Sequence, residues 1–141
     1  MNVLAELRRR FATALAEFTP DPAPFVAMVK PSQDTRFGDF QANCAMPLSK
    51  QVGQNPRDLA AQIIARLDVA DLCQPPEVAG PGFINLRLRN DWLEALVNRV
   101  AQRALAQLQQ WAPGVAVGIL LADYHGAVAG RYGAAAAARD A

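Results

Sequence analysis

The sequence predicts an α+β fold: a two-layer α-β-β-α-β-β sandwich with an antiparallel sheet, helices on one face of it, and a long connecting helix behind. Three observations carry this. Large apolar residues recur at helical three- and four-residue steps in separate stretches. Short runs rich in strand-favouring residues lie between those stretches in pairs. The chain has 141 residues, 52% hydrophobic and 19% charged, which suffices for one core without a metal or disulfide staple.

The first helix is read from Leu4, Leu7, Phe11, Leu15 and Phe18, which fall on one helical face. The cluster Thr19-Pro20-Asp21-Pro22 ends it. Residues 25–29 are short, apolar and suited to a pleated surface, so they are read as a strand. Residues 37–41 follow as a second strand or an extended loop. A second helix opens at Asn55, which can cap, with Pro56 at the first helical position and Asp58 at the positive end. Leu59, Ile63 and Leu67 form its buried stripe, with Ile64 beside it. Residues 77–79 make a short strand, Gly80-Pro81-Gly82 a tight turn, and residues 83–89 the best strand of the chain. The third helix begins at Asn90 and runs to about Trp111, burying Leu93, Leu96, Val97, Val100 and Leu108. The expected division is therefore a domain at 1–89, a connecting helix at 90–112 and a remainder at 113–141.

Composition narrows the function. The formal charge is +1, from 14 basic and 13 acidic residues, which excludes a polybasic peptide or an acidic tail but not a locally basic face. Cys44, Cys73 and the single His125 cannot assemble a zinc set, and the two thiols read as reduced core residues. No metal site is expected. Arg8, Arg9 and Arg10 precede no apolar signal segment, and the longest apolar run, 115–122, is far short of a membrane span. A cytoplasmic protein without membrane contact is expected.

The most informative run is Phe83-Ile84-Asn85-Leu86-Arg87-Leu88-Arg89. In a strand, Ile84, Leu86 and Leu88 face the helices, while Phe83, Asn85, Arg87 and Arg89 face the other way. If that side is open, it offers a ring for stacking, an amide for a base edge and two guanidiniums for phosphates. An exposed strand face whose charges keep it soluble is the alternative reading of the same residues.

The segments Phe37-Gly38-Asp39-Phe40-Gln41-Ala42-Asn43, Asn55-Pro56-Arg57 and Ala79-Gly80-Pro81-Gly82-Phe83-Ile84-Asn85 closely resemble the N-terminal additional domain of arginyl-tRNA synthetases, in order and in spacing. The resemblance runs from the start to about Trp111. It implies a domain that contacts the D-loop at the outer corner of arginine tRNA, tRNA(Arg), with Phe83 stacking and Asn85 hydrogen-bonding to D-loop nucleotides. Relatives with Gln in place of Asn85, and a polar residue where this chain has Ala79 or Gly80, put the base preference in question.

A full synthetase of this family continues into a catalytic domain that binds ATP with magnesium. Residues 115–121 resemble its first strand, and Asp123-Tyr124 stands where the family's Asp-Tyr would. Beyond them the match ends, with His125 unaccompanied by a second His and an alanine run in place of the signature. The resemblance therefore implies a tRNA-binding module that holds no cofactor and is not catalytic alone. Two alternatives stay open: a non-catalytic subunit completed by a separate catalytic polypeptide docked at 115–141, and an orphaned domain that folds without binding RNA.

Overall fold

The computed structural model describes residues 2–111; the readings made for residues 113–141, His125 among them, lie outside those residues. The chain divides into two compact units, one ending at Arg89 and the next starting at Asn90.

In the first unit, helix α1 (Val3–Leu15) starts where the Asn2 side chain accepts from the Ala5 N–H at 3.2 Å. Leu7, Phe11 and Leu15 are fully buried, as their spacing predicts, whereas Leu4 and Phe18 are half-buried. Residues 25–29 depart from expectation. Phe25 and Val26 end a single helical turn, α2 (Ala23–Val26), and strand β1 is Val29–Pro31. Pro22 and Pro24 explain this, because proline is tolerated where helical N–H groups have no intrahelical acceptor.

Strand β2 (Phe40–Ala42) follows a 3-10 turn at Thr35–Phe37. Two helices come next. Helix α3 (Ala45–Val52) was not expected from the sequence; α4 (Pro56–Arg66) was, and it opens as read, with Asn55 Oδ1 accepting from the Arg57 N–H at 2.9 Å. Leu59 and Ile63 of α4, with Leu67 just beyond it, are buried. Strands β3 (Glu77–Ala79) and β4 (Phe83–Leu86) form the second hairpin.

The sheet is antiparallel throughout, in the order β1-β2-β4-β3. The fold class is the expected α+β sandwich. Helix α1 packs on β1, and α4 packs on β3 and β4. Val29, Ala42, Ile84 and Leu86 face them and are fully buried. Both edge strands are three residues long, and Pro31 lies on one of them, which limits edge-to-edge pairing. Gly38 closes the sheet: at φ +97° it lies so near the Leu86 carbonyl that a Cβ would stand 2.5 Å from its oxygen.

Two of the three consecutive arginines, Arg8 and Arg10, tie α1 to other parts of this unit. Arg8 Nε donates to the Val29 carbonyl at 3.2 Å, and Arg9 Nη2 to Glu6 at 2.7 Å. Arg10 pairs with Glu6 and Asp71 and donates to the Asp68 carbonyl, tying α1 to the loop after α4.

The second unit, within the described residues, is one helix, α5 (Asn90–Trp111). The buried stripe read for it is not present: Leu93, Leu96 and Val97 are half-buried, and Val100 and Leu108 are exposed. Among the described residues no helix is long and apolar enough to cross a membrane.

Candidate nucleic-acid interface

The strand register lays one row across the face of the sheet opposite the helices. Lys30 stands opposite Gln41, Gln41 opposite Asn85, and Asn85 opposite Glu77. Asn85 therefore faces away from the core, as the alternation predicts, yet it is only 9% exposed rather than open to solvent. Its neighbours on the adjoining strands account for that. Gln41 Nε2 donates to Asn85 Oδ1 at 2.9 Å. Among the described residues no buried side-chain nitrogen or oxygen lacks a partner, and Asn85 Nδ2 has none among them, so that donor reaches solvent. It does so in a hollow of about 20 Å³ lined by Phe37, Gly38, Glu77 and Arg87, room for roughly one water. A base edge can meet this amide; a whole base cannot enter.

Phe83 stands at the end of the same face. The Gly80-Pro81-Gly82 turn before it is fixed by contacts with the start of α4. Arg57 Nη1 donates to the Gly80 carbonyl at 2.6 Å. Gly82, at φ +136°, leaves no room for a Cβ, which would come within about 3 Å of the Pro56 backbone. One edge of the Phe83 ring lies beside Gly80, and the residue is half-buried.

The row read as four residues in line does not continue past Leu86, where β4 ends. Residues 87–89 pair instead with the segment before β3: Gln74 N–H donates to the Arg87 carbonyl and Arg89 N–H to the Leu72 carbonyl. Arg87 stays near Asn85 and lines its hollow, with a long 3.5 Å contact from Nη2 to the Arg36 carbonyl. Arg89 lies elsewhere. It donates to the Ala70 carbonyl at 3.0 Å and borders a separate, mostly apolar hollow with Leu67, Val69 and Cys73. Phe83, Asn85 and Arg87 thus share one face, and Arg89 borders another.

Sequence reasoning missed three residues of this face: Lys30, Phe37 and Gln41. Phe37 is 45% exposed, an unusual position for a phenyl ring. The turn that carries it is capped by Asp34, whose side chain accepts from the Arg36 N–H at 2.9 Å and pairs with the Arg36 guanidinium at 2.6 Å. That guanidinium lies 5.9 Å from the Phe37 ring centroid, within cation–π range. The available signal was an aromatic residue placed between a capping aspartate turn and a glycine. The sequence reading of 37–41 as a second strand or an extended loop gives Phe37 no role on this face.

Comparison with known proteins shows the family and the fold. The family described as arginyl tRNA synthetase N terminal domain matches residues 5–88. The chain belongs to that family. An arginine–tRNA ligase of Rhodopirellula baltica is 51% identical over 93 residues, which cover 66% of this chain and 14% of that protein. One from a Synechococcus species is 46% identical over 98 residues, covering 69% of this chain and 17% of the relative. This N-terminal domain chain therefore spans about one-seventh to one-sixth of the length of the relatives it matches. The crystal structure of arginyl-tRNA synthetase from Plasmodium falciparum shares the fold, with a TM-score of 0.57 at 20% identity over 66% of this chain and 17% of that one.

Seven of the residues that carry the family likeness are fold staples. Asn55 caps α4, Pro56 receives Gly82, and Arg57 holds the turn at Gly80. Gly38 meets Leu86, and the Asp39 carboxylate accepts from the Leu88 N–H at 2.8 Å. Within the same segments, Phe37, Gln41, Phe83 and Asn85 are left on the outer face.

Proposed function

We propose that this arginyl-tRNA synthetase N-terminal domain is an RNA-docking module that contacts the D-loop at the outer corner of arginine tRNA and supports arginylation without catalysing it. The observation that carries the reading is the polar row Lys30–Gln41–Asn85 beside the half-buried ring of Phe83, on the sheet face opposite α1 and α4. The ring supplies a stacking platform, and the free Asn85 donor supplies one base-edge contact. Near-neutral charge makes the docking weak in isolation, because affinity for RNA is largely electrostatic. Weak docking is enough when a tethered catalytic part raises the effective concentration. ATP and magnesium belong to that part.

The test is a titration of the chain with arginine-specific tRNA at several salt concentrations, with a non-cognate tRNA alongside. Saturable, salt-sensitive binding that prefers the cognate tRNA is the expected result. Equal affinity for both, or no binding at low salt, removes the reading.

A further inference from the structure

The hollow over Asn85 accepts about one water, so a nucleotide that touches this amide must rest its bulk elsewhere. On the same face, across Gln41, a larger hollow of about 430 Å³ opens between the loop after β1 and strand β2. That size lies within the roughly 300–1,000 Å³ range of small-molecule sites. Phe37 borders both hollows and stands between them. Gln41 also lines the larger one while its amide holds Asn85. Lys30 and Asn43 complete its polar wall, and Met28 and Pro31 give it an apolar part.

We infer that this larger hollow is a second nucleotide subsite, in which the Phe37 ring takes the flat face of a base, Gln41 or Asn43 meets its edge, and Lys30 holds a phosphate. The inference rests on the docking role proposed above and extends it to a nucleotide next to the one at Phe83 and Asn85. Three features fit that ligand class. An aromatic ring nearly half exposed beside amides and a cation is the equipment of single-strand recognition. Lys30 is exposed and, among the described residues, has no ion-pair partner that would need to be displaced. The one carboxylate on the wall, Asp34, is already neutralised by Arg36, so it does not repel a phosphate.

The larger hollow takes Gln41 and Asn43 from the tryptic peptide 37–50, whereas Phe83 and Asn85 fall on 67–87, so crosslinks mapped to these residues separate the subsites, and Phe37, which borders both, is not counted. The full chain is irradiated with an arginine tRNA transcript carrying 4-thiouridine, digested, and mapped by mass spectrometry. Affinities of Phe37→Leu and Lys30→Gln are measured in parallel. The expected result is crosslinks in 37–50 as well as 67–87, with affinity lowered about tenfold by Phe37→Leu and a shallower salt dependence for Lys30→Gln. Crosslinks confined to 67–87, with both variants binding as the parent does, overturn the second subsite and leave the docking role standing. Crosslinks in neither peptide overturn both.

Discussion

The side-chain amides of Gln41 and Asn85 meet across β2 and β4, Gln41 Nε2 donating to Asn85 Oδ1 at 2.9 Å. This bond fixes the orientation of the Asn85 amide and leaves its N–H₂ as the donor that faces outward. Gln41→Ala should cost about 1 kcal/mol of stability, the usual worth of such a bond. It should also weaken tRNA binding by freeing the amide to rotate. Urea denaturation and the tRNA titration together check this. Unchanged tRNA affinity in the variant would show that the amide pair serves the fold alone.

Phe83→Ala removes the stacking platform. The expected loss is about 1–3 kcal/mol of binding free energy, with the fold retained because the ring is only half-buried. Circular dichroism establishes folding, and titration with arginine tRNA reads the loss. Full affinity in a folded variant would contradict the stacking role.

Arg87 and Arg89 should behave differently despite their spacing. Arg87→Ala should lower tRNA affinity and reduce the slope of affinity against salt by about one charge. Arg89→Ala should change that slope less, since its guanidinium holds the Ala70 carbonyl and borders another hollow. Slopes reduced equally in the two variants would place both on the RNA, and slopes unchanged in both would place neither there.

Acid should loosen the tie between α1 and the loop after α4. Hydrogen bonds from Arg9 and then Arg10 hold the Glu6 carboxyl at about 2, well below its ordinary 4.5, and Arg10 lowers Asp71 in the same direction. Groups lowered in this way stabilise the fold above the ordinary carboxylate range, and the contribution is lost as pH falls from about 4.5 toward 2. Arg10→Gln should therefore be less stable near neutrality and show a flatter acid limb. Urea midpoints across that range measure both effects.

Burial pushes the thiols of Cys44 and Cys73 up to about 11. Both should react slowly with a thiol reagent at neutral pH in the native chain and rapidly in denaturant. Fast native labelling of either would show that its part of the core opens locally.

What was legible in the sequence follows from how local each signal is. Helix α4 announces itself within four residues, through Asn55, Pro56 and Asp58. Helix α1 does so through the repeat of Leu7, Phe11 and Leu15. Helix α3 escaped notice because Cys44 makes no side-chain cap and Pro47 looks like a breaker, although it sits in the first turn, where its missing N–H costs nothing. The exposure of Asn85 could not be read at all. It depends on Gln41, 44 positions away, and on the turn that raises Phe37. Alternation says which way a side chain points, but only the register says what stands next to it.

The outer face draws Lys30 and Gln41 from the first hairpin and Phe83 and Asn85 from the second, with two helices of intervening chain. Neither hairpin owns a complete surface. Any RNA held there recognises only molecules in which both have docked, so it binds the native state and not the unfolded one. By mass action it must raise the melting temperature as its concentration rises. Heat resistance in the presence of tRNA is thus a reading of occupancy, obtainable without labelling either molecule.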